Sequence, residues 1–186
     1  LPDVTGVQTC ALPILGHAPF ADLRDAYTEQ VIGMLLGGVD AVLIETSQDL
    51  LQAKAAVLAS HVAMGEIGRR VPILVSVTVE TTGTMLLGSE IGAALTALEP
   101  LGIDAIGLNC ATGPAEMSEH LRHLSRNSSV MLTCMPNAGL PELTPDGARY
   151  PLTPEQLADA HETFVADYGL NLIGGCCGTT PEHLRQ

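Results

Sequence analysis

The sequence predicts an α/β fold built on a parallel sheet, and three observations carry that expectation. Short apolar runs bounded by turn residues recur at an average step of about 32 residues, starting near residues 40, 72, 103, 130 and 170. Segments of helical periodicity fall between them, most with a recognisable cap or stop. Strict alternation of strand and helix at such a step implies parallel strands joined by right-handed crossovers. An open doubly wound sheet and a closed barrel both satisfy the pattern. A complete eight-unit barrel takes about 250 residues, so a barrel with five strands in 186 residues lacks its first three units.

Taken in order, Leu23, Ala26, Tyr27, Val31, Met34 and Leu35 fall at helical spacing, with Asp22 as N-cap and Gly37-Gly38 as the stop. The run 41–45, AVLIE, has the form of a strand buried on both faces. A helix over about 47–62, a strand over 71–79 and a helix over 89–99 ended by Pro100 follow. Next come a strand over 103–108, a helix over 114–125 opened by Pro114, and a strand over 130–135. Residues 136–152 read as a loop. Thr153 with Gln156 forms a capping box for a helix that ends near Gly169, before a strand over 170–173. Thr180 followed by Pro181 and Glu182 signals the start of one more helix.

Composition narrows the function classes. The chain is 46% hydrophobic with only 3% aromatic residues and no Trp, so one domain with an aliphatic core is expected. Eight basic residues against 21 acidic ones leave a formal charge of −13, which offers no footprint for a phosphate backbone and excludes nucleic acid as an expected partner. Apolar runs are interrupted within about ten residues, short of the roughly 20 needed to span a membrane. No cationic residue precedes Arg24, unlike the start of a secretory signal. Five cysteines, an odd number with two adjacent, suit a reducing cytoplasm with metal or redox chemistry better than a disulfide framework. Residues 1–14 lack periodicity, and VTGVQTCALPI looks like a translated sequencing adapter. They are set apart as a non-native or disordered segment, Cys10 is no site candidate, and residues 15–186 are expected to form one incomplete domain.

In parallel α/β folds, ligands meet the carboxyl ends of the strands. Here those ends carry Glu45, Glu80, Asn109 with Cys110, Asn137, and Cys176 with Cys177. Such a thiol-rich rim suggests zinc. Cys110 nevertheless lies far along the chain from Cys176, without the paired C-x2-C spacing of a structural zinc site, so separate buried or redox thiols remain open. Adjacent residues of a regular strand point to opposite faces, and Cys176 and Cys177 can share an ion only if the backbone leaves strand geometry, as Gly174, Gly175 and Gly178 permit. Cys134, inside VMLTCM, reads as a packed core thiol, and the six histidines read as exposed surface.

The segments GLNCATGPAEM (107–117), MPNAGLPEL (135–143) and IGGCCGTTPEHL (173–184), preceded by LIET (43–46), resemble the homocysteine S-methyltransferase domain of cobalamin-dependent methionine synthase. The resemblance extends over 20–186. It implies a partial (β/α)8 TIM barrel with strands four to eight present and the first three βα units missing. It assigns Zn2+ to Cys110, Cys176 and Cys177, and gives Asn137 as a ligand of the substrate-free state. It matches Glu45 to a glutamate that holds the substrate amino group, as a carboxylate suits an ammonium. Asn109 is placed in the substrate-binding set, acting by orienting Cys110. Glu80 is left without a role.

The activity so implied is methyl transfer to the thiolate of L-homocysteine, forming methionine. Three thiolates with Zn2+ carry a net charge of −1, so a fourth thiolate binds deprotonated yet stays electron-rich enough to attack a methyl group. Methylcobalamin on another domain is the expected donor, with cobalamin- and folate-binding domains of the same full-length chain as partners. The alternatives are S-methylmethionine or betaine as donor, a purely structural zinc, or a redox thiol site without catalysis.

Overall fold

A computed structural model describes residues 18–145 and 147–186. The expectations for residues 1–14 and Cys10 lie outside the described residues. Among the described residues there are seven strands: β1 (Val42–Ser47), β2 (Ile73–Val77), β3 (Ala105–Asn109), β4 (Met131–Met135), β5 (Glu142–Thr144), β6 (Gly147–Arg149) and β7 (Leu172–Ile173). The helices are α1 (Phe20–Leu36), α2 (Leu50–Ile67), α3 (Ile91–Leu98), α4 (Pro114–Asn127) and α5 (Pro154–Tyr168), with a 3-10 turn at Glu99–Leu101.

Five strands form one sheet in the order β1-β2-β3-β4-β7, every neighbouring pair parallel. Strand order follows the chain and never reverses, which is the arrangement of a barrel segment and not of a doubly wound sheet. Helices connect these strands and flank the sheet, so the chain builds strands four to eight of a (β/α)8-type barrel without the first three units. Among the described residues no helix is long and apolar enough to cross a membrane.

The sheet forms where aliphatic and β-branched residues have helices or strands to cover them. Ile73, Val75, Val77, Ile106, Leu108, Leu132 and Cys134 are all buried within one core, as are Leu95, Leu98, Leu121 and Leu124 from α3 and α4. Each such side chain removed from water contributes roughly 1.5–3 kcal/mol before conformational entropy is set against it. Gly107 has a specific reason to lack a side chain. A Cβ there would sit 2.0 Å from the Thr133 carbonyl oxygen, so β3 and β4 approach only because that atom is missing.

Helix ends follow their signals in part. Thr153 and Gln156 form the expected capping box: Gln156 N–H donates to Thr153 Oγ1 (3.4 Å) and Thr153 N–H to Gln156 Oε1 (2.9 Å). Helix α1 starts at Phe20 after Pro19, which leaves Asp22 in the first turn and not at the cap. Helix α2 starts at Leu50 because Ser47 still belongs to the sheet, its carbonyl accepting from Thr78 N–H (2.9 Å), while Asp49 caps the helix through Leu51 N–H (2.9 Å).

Three expectations are corrected. The 136–152 segment is not plain loop, since β5 and β6 pair within it as an antiparallel hairpin. The helix expected after Thr180 is a turn, where Thr180 N–H donates to Nδ1 of His183 (3.1 Å) and no helical ladder starts. The strand read from 41–45 is not buried on both faces, since Leu43 and Glu45 of β1 are exposed, as are both residues of β7 at the other edge.

Candidate metal centre

At the carboxyl end of the sheet the backbone leaves regular geometry. The non-glycine residues with positive φ among the described residues are Thr46 (54°), Cys110 (63°) and Ala111 (60°), and all three lie on this rim. Each such residue costs on the order of 1–3 kcal/mol, which the surrounding contacts must offset.

Cys110 follows β3. Its N–H donates to the Met135 carbonyl (3.2 Å), and its own carbonyl accepts from Thr112 N–H (2.7 Å). The left-handed turn at Cys110 and Ala111 thus re-aims the thiol while the strand behind it stays in register with β4.

Cys176 and Cys177 follow β7 in a turn held from several sides. Cys176 N–H donates to the Pro136 carbonyl (2.8 Å), and the Cys177 carbonyl accepts from Ala138 N–H (2.9 Å). Cys177 N–H donates to Oδ1 of Asn137 (3.0 Å). Gly178 is in the left-handed region at φ 79°, and a Cβ there would meet Tyr150 Cγ at 2.2 Å, so the tyrosine ring lies directly across this turn. One residue pair further back, the carbonyl of Gly174 accepts from Nε2 of His161 (2.8 Å).

The three sulfurs converge. Sγ atoms of Cys110, Cys176 and Cys177 all lie within 4.8 Å of one another, and those of Cys110 and Cys177 are 3.7 Å apart. Thiolates 2.3 Å from a tetrahedral zinc stand about 3.8 Å from each other. The donor set therefore fits Zn2+ in number, chemistry and spacing. Cys110 and Cys176 are half-buried, and Cys177 is exposed, which leaves one side of the cluster open to a further ligand.

Electrostatics point the same way. Burial, with the neighbouring sulfurs adding to it, pushes the Cys110 thiol up to about 12. Burial and then the charge of Cys177 raise Cys176. Burial and then Cys177 likewise raise the Tyr150 phenol. Three thiolates so close together repel one another, and a divalent cation supplies the opposite charge that lets them ionise. Cys134 is different: it is fully buried in β4, away from this rim, and burial alone raises it to about 12. It is the core thiol expected from the sequence.

The asparagines are placed more specifically than the sequence allowed. Asn109 is 1% exposed, and its Nδ2 points at Cys176 Sγ (3.8 Å) and not at Cys110. The remainder of its carboxamide is engaged by Thr46, whose N–H donates to Oδ1 and whose Oγ1 accepts from Nδ2, both at 2.8 Å. Asn137 is buried, with Oδ1 accepting the Cys177 N–H described above. Glu45 is exposed at the end of β1, adjoining Thr46. Glu80 accepts a long hydrogen bond from Gln48 (3.5 Å) and makes no contact with the thiols.

Sequence reasoning missed three residues. Thr46 closes the LIET segment, where only Glu45 is given a role. Tyr150 lies in the stretch read as loop. His161, expected on the surface, is 6% exposed. A signal for it existed: Leu157, His161 and Phe164 follow helical i, i+4, i+7 spacing, and all three form the buried face of α5. His61 and His183 are also half-buried, bonded to the carbonyls of Leu101 (2.8 Å) and Leu152 (3.0 Å).

Residues 5–186 match the family described as Homocysteine S-methyltransferase. The chain is 67% identical over 175 residues to a methionine synthase of Mycobacterium tuberculosis, an overlap of 94% of this chain and 15% of that protein. It is 66% identical over 175 residues to the methionine synthase of Mycobacterium leprae, covering 14% of it. The chain therefore spans about one seventh of the length of these curated relatives. Among solved structures, the homocysteine methyltransferase MmuM from Escherichia coli superimposes in its apo form with a TM-score of 0.70 at 23% identity, over 90% of this chain and 56% of that one. Its metallated form gives 0.66 at 23% identity, over 87% and 50%. At this identity the solved structures speak for the fold. Neither the geometry nor the comparisons lend support to methylcobalamin.

Proposed function

The chain belongs to the homocysteine S-methyltransferase family, and from that premise we propose that it takes part in zinc-dependent methyl transfer to the thiolate of L-homocysteine, forming methionine. One observation carries the reading: three cysteine sulfurs within 4.8 Å of one another at the carboxyl end of a parallel barrel segment. Cys110, Cys176 and Cys177 would hold the ion. Bound zinc supplies Lewis acidity, which keeps the substrate sulfur deprotonated and nucleophilic at neutral pH.

This chain's residues supply the remainder. The three thiolates leave one tetrahedral position free. The exposure of Cys177 opens that position to substrate. Glu45, exposed on the same rim, offers a carboxylate to the substrate ammonium. Asn109 and Asn137 fix Cys176 and the Cys177 backbone, so the sulfurs need little rearrangement when the ion binds. Asn137 Oδ1, which accepts the Cys177 N–H with one lone pair, would offer the other as the fourth ligand before substrate arrives. In the transfer the homocysteine sulfur forms the new bond to the methyl carbon, and the bonding pair leaves with the donor. Residues 15–186 would be the part of an incomplete homocysteine-binding barrel domain that carries the thiols of this acceptor half. Methylcobalamin, S-methylmethionine and betaine are donors for the assay to distinguish.

The test uses the full-length protein. Zinc content is measured by elemental analysis, and methionine formation is followed with each donor before and after chelation. Activity should disappear with the metal and return with added zinc. X-ray absorption should show sulfur ligation rising from three to four on addition of homocysteine. An unchanged ligand set would instead indicate a structural ion, and thiols that bind no metal at all a redox site.

A further inference from the structure

We propose that Thr46 is a positioning residue of the metal centre, holding the Asn109 carboxamide in the orientation that directs an N–H at the sulfur of Cys176. The inference rests on the reading of the triad as a metal site.

Its basis is a complete set of hydrogen bonds around a buried side chain. Asn109 Oδ1 accepts from Thr46 N–H at 2.8 Å, and Nδ2 donates to Thr46 Oγ1 at 2.8 Å and to Cys176 Sγ at 3.8 Å. Thr78 Oγ1 donates to the Asn109 carbonyl (3.1 Å), which fixes the backbone behind it. A carboxamide turned by 180° would bring its NH2 against the Thr46 N–H, donor to donor, and its oxygen against an electron-rich sulfur. The Thr46 N–H excludes that orientation, and Oγ1 holds the plane by receiving the other amide hydrogen.

The backbone of Thr46 is what makes this two-point grip possible. Its φ of 54° is unfavourable for a β-branched residue, and it coincides with the register shift of β1 between Ile44 and Ser47. The same bend turns the N–H and Oγ1 together toward β3, across the end of β2. Glycine would adopt this φ without strain but could supply only one of the two contacts. The hydroxyl is thus the feature that a purely conformational role leaves unexplained. A neutral N–H donor on a thiolate draws charge from that sulfur and restricts its position, so the group that orients the donor acts on the metal at one remove.

The test compares Thr46→Gly with Thr46→Ser in the full-length protein. Thr46→Gly should leave the thermal stability of the zinc-free protein equal or raised, because strain is relieved. It should nevertheless weaken zinc binding about 10–100-fold in chelator competition, the range expected for losing a group that orients a ligand. Thr46→Ser, which retains Oγ, should bind zinc like the unaltered protein. With Co2+ in place of zinc, the thiolate-to-cobalt charge-transfer band should shift in Thr46→Gly and return to its place in Thr46→Ser. If Thr46→Gly fails to fold, Thr46→Val removes the hydroxyl with the branch intact, and the same loss is expected of it. Equal affinity and an unshifted band in the hydroxyl-free variants would overturn the role of Thr46 alone. A loss in Thr46→Ser as large as in Thr46→Gly would overturn it too. Failure of the unaltered protein to bind zinc would remove the metal reading itself.

Discussion

The thiols of this centre stand on two different supports. Cys110 follows β3, a strand paired on both sides, with all five of its residues buried. Cys176 and Cys177 follow β7, which has only two residues, both exposed, and pairs on one side. The first half of the site is held by the sheet. The second is held by contacts from elsewhere: Asn137, the carbonyl of Pro136, the Tyr150 ring and His161. A metal site can therefore join a rigid element to a supported turn, and its two halves should fail in different ways.

The largest effect should not distinguish the halves. Cys110→Ser and Cys176→Ser each remove one of three thiolates, and each should reduce zinc affinity by orders of magnitude, since hydroxyl oxygen is a poor substitute for thiolate. Elemental analysis after dialysis against a chelator checks this. Zinc retained by either variant would break the shared site.

Glycine substitutions should separate the halves. Gly107→Ala places a Cβ 2.0 Å from the Thr133 carbonyl, a backbone atom in the middle of the sheet. A loss of about 3 kcal/mol or more in global stability is expected, because neighbouring strands cannot give way independently. Gly178→Ala meets a side chain instead, with Tyr150 Cγ at 2.2 Å, and adds strain at φ 79°. Here about 1–3 kcal/mol is expected, together with weakened zinc binding. Denaturant unfolding and chelator competition on both variants test the contrast, and a larger global loss from Gly178→Ala would reverse it.

The same division decides what was legible in the sequence. The sheet half could be read, because AIGLN is an apolar run closed by a polar pair, and strand ends are where α/β sites form. The identity of all three thiols could be read from the same rule combined with the family motifs. Of the supports of the second half, Asn137 was legible as a strand-end residue and the burial of His161 had a helical signal, but their bonds to this turn did not show. The grip of Thr46 on Asn109 depends on a bulge in β1 and reaches across 63 positions of sequence. Local pattern carries no trace of such a contact. Likewise the β5–β6 hairpin contains Thr144, Pro145 and Gly147, which read as loop residues, and each of its strands is three residues long. The expected last helix is a turn although Thr180 and His183 are bonded as at a helix start, and His183 is tied instead to the Leu152 carbonyl 31 positions away, a contact that local pattern does not carry.

His161→Leu should sharpen the contrast further. It leaves the Gly174 carbonyl without its donor (2.8 Å) while keeping an apolar side chain between Leu157 and Phe164. A buried acceptor without a partner costs about 1–3 kcal/mol, and the half-buried Gly174 carbonyl should lose less, since water can reach it in part. Because that carbonyl lies two residues before Cys176, zinc affinity should fall together with stability. A variant that loses stability but binds zinc like the unaltered protein would show that His161 packs α5 without steadying the turn.

The smallest effect is one of pH. His161 donates through Nε2 to the Gly174 carbonyl, so in its neutral form Nδ1 carries no hydrogen, and that atom is buried without a partner. Burial holds its pKa below the usual 6.5, although the Gly174 carbonyl opposes this in part. Above about pH 6.5 the residue is neutral in both the folded and unfolded chain, and its contribution to stability is fully present. As pH falls below that value the unfolded chain takes up the proton first. Stability is then lost until the folded-state pKa is passed, since protonated Nδ1 would find no acceptor. His120 on α4 is also held low, chiefly by burial, so His161 accounts for part of the acid slope and not the whole. The measurement is urea unfolding of the zinc-free full-length protein at about pH 7.5 and about pH 5.5, zinc being omitted because its own binding releases protons. His161→Gln retains an N–H for Gly174 but cannot titrate, and it should flatten the slope over that interval. An unchanged slope would mean that acid acts on this fold through other groups, and that the turn bearing Cys176 and Cys177 is no more acid-sensitive than the strand bearing Cys110.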